Sequence, residues 1–243
     1  AEKGVRVIYC EKPVATRLAE AERMVAACEK AGALLVINHN RRFSPNHRRL
    51  RALVAAGNLG HLTSASLQWG GGRLANVGTH MIDALRMLTS REVRGVSGTL
   101  DLSGKPDCRG PQFRDPGGWG VMRLDDGLMA MVDAADYAKV PGRIILNGAN
   151  GRASVSGQEV TLEFNDGRQE SWPNLHKEVT SMDCAVAEIV AWLDDRTAFP
   201  YPVIEAVRTL EAIVAFHDSH ARNAAWTELP LKGPERDIEL RSG

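Results

Sequence analysis

Residues 4–38 constrain the fold more than any other stretch of the chain. Val5, Val7, Ile8 and Tyr9 make residues 4–10 read as a buried strand, since a short run of β-branched and aromatic residues suits a sheet covered on both faces. Thr16 then reads as the N-cap of a helix whose apolar positions, Leu18, Ala21, Met24, Val25 and Cys28, recur at helical spacing, and Gly32 ends it. Residues 33–38 read as a second buried strand. Strand, helix and strand in that order make one right-handed parallel crossover unit. Ligands of such units bind beyond the carboxyl ends of the strands. Both polar clusters of this region, Glu11-Lys12-Pro13 and Asn38-His39-Asn40-Arg41-Arg42-Phe43, fall at those ends.

Ser44 or Pro45 starts the next helix, with Leu50, Leu53 and Val54 inward and Arg48, Arg49 and Arg51 on a solvated face; residues 57–60 close it. Residues 62–69 read as a strand leading into Gly70-Gly71-Gly72, and the residues after the glycines have helical spacing through Leu85 and Leu88. The period then changes to two. Residues 93–102, 120–125 and 128–137 read as strands, with Asp126-Gly127 as a hairpin turn, and shorter strands follow at 143–146, 152–155 and 160–164, punctuated by Asn150-Gly151 and Asp166-Gly167. That pattern predicts an antiparallel meander. Residues 103–118 form a loop with Pro106, Pro111 and Pro116, long enough for a lid, a contact arm or a plain connection. Helices over 179–194, with Val186, Ile189, Val190 and Leu193 on one face, and over 203–222 close the chain, and residues 226–231 add a last strand.

The chain has 243 residues, 44% hydrophobic and 25% charged, enough for one large domain or two small ones with a sizeable core. Lys and Arg number 30, as do Asp and Glu, so no net field favours nucleic acid or an anionic membrane, and small neutral ligands are left. No apolar run approaches the roughly 20 residues of a membrane-spanning helix. Cys10, Cys28, Cys108 and Cys184 are scattered, with no Cys-x-x-Cys pair, and read as reduced thiols of a cytoplasmic protein. His217 and His220 lack a third ligand and read as a surface pair, so no metal is expected.

Chemistry concentrates in two places. Asn76 and His80, four apart, share a helical face, and Gly78 between them leaves bare backbone where something flat or bulky comes close. A glycine inside a helix costs about 1 kcal/mol relative to alanine, so its place here asks for a reason. The bland readings are an N-terminal polar residue, a satisfied histidine and a packing glycine. Oxidation of a carbinol by hydride transfer needs a hydride acceptor, a base for the hydroxyl proton and a cation for the developing alkoxide. Lys12 and His80 supply the last two. A lysine beside a cationic nicotinamide is expected to have a lowered pKa, and a cis Lys12-Pro13 bond would aim it back over the sheet.

Cys10-Glu11-Lys12-Pro13, then Asn40-Arg41-Arg42-Phe43-Ser44-Pro45, then Gly70-Gly71-Gly72-x-Leu74-x-Asn76-x-Gly78-x-His80-x-x-Asp83 together resemble the glucose-fructose oxidoreductase/inositol dehydrogenase (Gfo/Idh/MocA) family, and Glu228-Leu229-Pro230-Leu231 resembles its usual ending. The resemblance covers essentially the whole chain, most weakly after Ser103. It implies an α/β plus α+β fold: the C-terminal remnant of a parallel Rossmann sheet over residues 1–43, then an open, mostly antiparallel sheet domain over 44–243 with helices on one face. It implies an oxidoreductase that uses NAD or NADP on a sugar, polyol or related carbonyl compound, and a homo-oligomer formed through the sheet domain. By the same resemblance Lys12 and His80 are the catalytic lysine and histidine, and Asn76 stands where many members carry an aspartate. Glu11, Pro13 and Asn40 fall to the cofactor, and Arg42, Asn76 and Asp83 to the substrate, with a structural salt bridge as the equal alternative for Arg42.

Three departures qualify the resemblance. Members begin with a strand, a Gly-x-Gly-x-x-Gly turn and further crossover units, of which about two to three are missing ahead of Ala1. The chain is therefore expected to be a fragment, a truncated product or a protein without the family's dinucleotide binding, and its first strand to expose an apolar edge. The Asn76 amide cannot take a proton as a carboxylate does, although it can bind a hydroxyl. The link from Trp69 to Gly70 is short, which leaves the pocket more open or completed by another subunit. Two rivals follow: a non-catalytic sugar-binding or oligomerisation module, and a hydrolase that keeps a tightly bound dinucleotide.

Overall fold

The computed structural model describes residues 1, 3–71, 73–103, 110–135, 141–175, 178–195 and 199–242. Gly72, Pro106, Cys108 and Tyr137, named above, lie outside the described residues.

Strand β1 (Val7–Cys10), helix α1 (Leu18–Ala31) and strand β2 (Leu34–Ile37) form the expected parallel unit, with Val7 opposite Leu34 and Cys10 opposite Ile37. Gly32 ends α1 in the left-handed conformation, φ 62°, and its N–H meets the carbonyls of Cys28 and Glu29. The structure differs from two local expectations. The cap position is Arg17, extended at φ −135°, and the Thr16 hydroxyl instead reaches Glu20 at 3.4 Å. β1 is half-buried along its whole length, because among the described residues only β2 pairs with it, and Val5 just ahead of it is 47% exposed.

Helix α2 (Pro45–Ala55), with Pro45 in its first turn, leads to β3 (Leu62–Gln68) and then α3 (Gly78–Thr89). The arginines of α2 are not simply solvated. Arg48 pairs with Glu188 and lies over the rings of Phe43 and Tyr201, and Arg49 stacks 3.8 Å from the Trp172 ring centre.

A large sheet follows: β4 (Val93–Asp101), β5 (Gly117–Leu124), β6 (Met129–Asp133), β7 (Arg143–Gly148), β8 (Gly151–Ser156), β9 (Glu159–Phe164), β10 (Gln169–Trp172) and the short β11 (Thr227–Glu228). Among the described residues its strand order is β10-β9-β8-β7-β3-β6-β5-β4-β11. The expected antiparallel meander is present as two runs, β4-β5-β6 and β7-β8-β9-β10. β3 is inserted between β6 and β7, parallel to the first and antiparallel to the second. Ala65 and Leu67 are buried at 0% and 1%, so β3 gains more by sitting in the middle of the sheet than at an edge. Asp126 (φ 59°) and Gly127 (φ 74°) make the expected hairpin between β5 and β6.

Helices α4 (Ser181–Asp195) and α5 (Ile204–Ala221) complete the chain. α5 lies across β4, where fully buried Phe216 presses on two glycines; a Cβ on Gly98 or Gly120 would meet its ring at 2.6 or 2.7 Å. The opposite face of the sheet exposes Trp119, Met129 and Met131. α4 turns inward the face of Ala185 and Ile189, which pack with Val36 and Phe43, and leaves Val186 and Val190 each 49% exposed. Of the expected face, Ile189 and Leu193 thus turn inward and Val186 and Val190 do not.

Candidate active site

Lys12 comes off the end of β1 and Asn38 off the end of β2, where Asn38 N–H donates to the Cys10 carbonyl at 2.8 Å. The parallel register therefore brings the two polar clusters side by side. Glu11 accepts from Asn38 Nδ2 at 2.6 Å, and the Tyr9 hydroxyl donates to Asn38 Oδ1 at 2.8 Å. Burial, with Glu11 adding to it, pushes the Tyr9 phenol up to about 12. Residues Asn40–Phe43 form a 3-10 turn, in which Asn40 Oδ1 is buried with no hydrogen-bond partner among the described residues. The Lys12–Pro13 bond is cis.

Lys12 Nζ donates to Asn76 Oδ1 at 2.8 Å and to the Asn76 carbonyl at 3.0 Å. Asn76 does not share a helical face with His80, because regular α-helix begins only at Gly78. The preceding residues form a turn whose Ala75 and Asn76 N–H groups are taken by the Asp115 carboxylate, at 2.8 and 2.7 Å. The flat group beside Gly78 is the chain's own Trp69, whose ring would lie 2.9 Å from a Cβ there. Gly78 is a packing glycine.

His80, in the first turn of α3, has its Nδ1 buried with no partner among the described residues. Its ring stands edge-on to that of His39, with centroids 6.0 Å apart. Burial, then the positive charge of Arg41 and further contributions from His39 and Lys12, lower its pKa to about 2, so the imidazole is neutral. Burial also lowers Arg41, to about 10.

Below this layer lies a buried ion network. The fully buried Asp83 carboxylate accepts from Arg42 Nε at 2.8 and 3.0 Å and from Arg42 Nη2 at 2.7 Å, and His39 Nδ1 is 3.3 Å away. Burial alone would raise Asp83, but His39, Arg42 and Arg86 outweigh it and hold the carboxyl below its ordinary range. Arg86 joins Glu92 at 2.7 Å and Glu205 at 2.9 Å. Arg42 is 5% exposed and Asp83 0%, and of the two roles open to Arg42 in the sequence this pairing is the structural salt bridge.

His39 belongs to the polar cluster read at the end of the second strand, where it had no role of its own, whereas Asp115 and Arg86 carry no signal in the sequence. His217 and His220 are half-buried rather than a surface pair: His220 Nδ1 accepts from Leu100 N–H at 3.2 Å, and burial lowers His217 to about 4. Among the described residues no group of three His, Cys, Asp or Glu side chains is placed to hold a metal.

Residues 1–39 match the family model described as the oxidoreductase family with an NAD-binding Rossmann fold, and residues 63–154 match the Gfo/Idh/MocA C-terminal domain, together more than half of the chain. The 1,5-anhydro-D-fructose reductase of Ensifer adhaerens is 26% identical over 150 residues, 54% of this chain and 44% of that protein. The myo-inositol dehydrogenase Hyg17 of Streptomyces leeuwenhoekii is 29% identical over 180 residues, 67% of this chain and 51% of its own length. The chain thus spans about half the length, or less, of the curated relatives it matches. Among solved structures, a levoglucosan dehydrogenase complexed with NADH and levoglucosan superposes with a TM-score of 0.82 at 16% identity, covering 95% of this chain and 75% of that one. An oxidoreductase domain protein from Kribbella flavida gives 0.78 at 20% identity, over 92% and 74%. A parallel pair ending in Lys12, an open sheet reached through the Asn76 turn and α3, and both halves of one family's signature lead to a single assignment: the chain belongs to the Gfo/Idh/MocA family.

Proposed function

We propose that this chain carries the catalytic lysine and histidine, and the substrate side, of an NAD(P)-dependent oxidoreductase acting on a sugar, polyol or related carbonyl compound. The observation that carries the reading is the Lys12 ammonium held on Asn76 beside a neutral, buried His80. The names of the relatives, a reductase of an anhydro sugar and a dehydrogenase of inositol, support the substrate class.

The donor set fits a dinucleotide. The orphaned Asn40 Oδ1 faces burial without a donor, and Glu11 and Pro13 flank Lys12 at the strand end where a nicotinamide would lie. When bound, the cofactor supplies the hydride acceptor or donor. Lys12 stabilises the developing alkoxide, the neutral His80 imidazole accepts the hydroxyl proton, and the Asn76 amide binds a substrate hydroxyl without taking its proton.

The division at residue 43 separates the parallel pair from the large sheet, with α4 packing back across it through Ala185 and Ile189. The exposed face bearing Trp119, Met129, Met131 and Trp226 suits a homo-oligomer. Free thiols at Cys10, Cys28 and Cys184 suit a reducing compartment such as the cytoplasm. No helix among the described residues is long and apolar enough to cross a membrane.

Calorimetric titration of the chain with NAD and NADP, followed by a polyol screen for reduction of the cofactor, tests the reading. Dinucleotide binding with polyol-dependent reduction, lost by about 10²-fold or more in Lys12→Ala, is the expected result. A folded chain that binds neither dinucleotide overturns the enzymatic reading of this chain by itself and leaves a fragment of a longer oxidoreductase or a sugar-binding or oligomerisation module.

A further inference from the structure

The turn that presents Asn76 is not held by its own helix. Asp115, on the segment entering β5, takes both the Ala75 and the Asn76 N–H with its two carboxylate oxygens, and the neighbouring Pro116 carbonyl accepts from Leu74 N–H at 2.8 Å. A carboxylate that accepts two backbone donors is a strong, directional anchor. It acts here as a remote cap for the run of chain that becomes α3.

Residues 240–242 in turn hold Asp115. The Ser242 hydroxyl donates to Asp115 Oδ2 at 3.2 Å, and Arg114 N–H donates to the Arg241 carbonyl at 2.7 Å as an isolated antiparallel bridge. Just before them, Leu240 is 1% exposed and its N–H donates to the Thr16 carbonyl at 2.9 Å, while Glu239 pairs with Arg17. Thr16 and Arg17 belong to the short stretch that follows Lys12. One strap therefore ties both sides of the Lys12–Asn76 contact: Leu240 fixes the chain that carries the lysine, and Arg241 and Ser242 fix the loop whose carboxylate carries the asparagine.

We propose that Asp115 is a positioning residue of this site and that residues 240–242 form the strap that keeps it in place, so that Lys12 stays on Asn76. The catalytic value of that position rests on the function proposed above; the strap itself does not.

Two measurements made without any ligand test the strap: amide hydrogen exchange at Ala75 and Asn76, and the rate of acylation of Lys12 with Lys3, Lys30 and Lys232 as internal controls. In Asp115→Asn, which keeps the shape but leaves one N–H facing an amide donor, exchange at the two amides is expected to rise about tenfold, the worth of one charge-assisted hydrogen bond. Lys12 acylation rises with it, while amides of β4 and β5 and the control lysines are unchanged. Ser242→Ala, which removes a single hydroxyl, and a chain shortened to end at Leu240 are expected to shift the same signals in the same direction, and they carry the test if Asp115→Asn does not fold. Unchanged exchange and unchanged Lys12 acylation in all three overturn the strap.

Turnover then separates the two ideas. A fall in kcat of about tenfold in Asp115→Asn, at unchanged dinucleotide affinity, supports the positioning role. Unchanged kcat with faster exchange overturns it. Wild-type protein with no turnover but with the exchange effect in Asp115→Asn supports the strap and overturns the oxidoreductase reading.

Discussion

Lys12 and Asn76 stand 64 positions apart in the chain and meet through two hydrogen bonds, from Nζ to the amide oxygen at 2.8 Å and to the carbonyl at 3.0 Å. The contact joins the parallel unit to the turn before α3. Both of these acceptors are neutral oxygens of one residue, so the contact fixes the ammonium to a single point of the turn.

Asn76→Asp would change that contact. A carboxylate 2.8 Å from Nζ forms an ion pair, and the Lys12 pKa is expected to rise by about 1 unit or more. Titration of isotopically methylated lysines followed by NMR reads the shift directly. A Lys12 pKa that does not move, or falls, would show that the two side chains part in solution.

Arg42→Met leaves Asp83 fully buried without its bidentate partner. Breaking such a pair from one side is expected to cost about 3–5 kcal/mol in urea unfolding. The double variant Arg42→Met/Asp83→Leu should recover most of the loss, because neither charge of the pair is then left without its partner. A loss below about 1 kcal/mol in the single variant would mean that Arg86 and His39 suffice to hold Asp83.

Gly78→Ala tests whether Trp69 is what fixes this glycine. The new methyl meets Trp69 Cζ2 at 2.9 Å and Leu74 Cδ1 at 3.2 Å, and overpacking of this kind costs about 1–3 kcal/mol despite the better helix propensity of alanine. In a Trp69→Phe background the same substitution should cost at least about 1 kcal/mol less. Equal costs in the two backgrounds would point to backbone geometry as the constraint.

His47 is completely buried, and burial together with Arg41 holds its pKa down to about 3. The unfolded chain takes up the proton below about 6.5 while the folded chain does not, so stability falls with pH from that point by about 1.4 kcal/mol per pH unit. His47→Gln should therefore shrink the loss of stability between pH 8 and pH 5 by about 2 kcal/mol. An unchanged pH dependence would show that His47 titrates alike in the folded and unfolded chain.

The elements that the residues announce locally are those in which one short stretch decides its own conformation. Gly32 ends α1 because a left-handed residue was needed there, and Asp126-Gly127 turns a hairpin because both positions accept positive φ. The candidate site was legible to the extent that it lies at strand ends: Lys12 and Asn40 could be brought together by the parallel register alone. Asp115 could not. Its partners, Ala75 and Asn76, are 40 and 39 positions away, and no periodicity or turn signal links a loop carboxylate to two particular N–H groups.

Legible from the residues were the parallel strand–helix–strand unit, the succession of short strands, the polar clusters at the strand ends and the order of the family's motifs, since each follows from spacing and backbone preference within a few residues. Tertiary structure alone decided that β3 enters the middle of the large sheet, that α4 leaves Val186 and Val190 outside, that Asn76 leaves the helix for Asp115, and that Asp83 is the partner of Arg42. Those outcomes depend on which distant surfaces meet, where burying apolar area and satisfying every enclosed polar group outweigh the local preferences of any single segment.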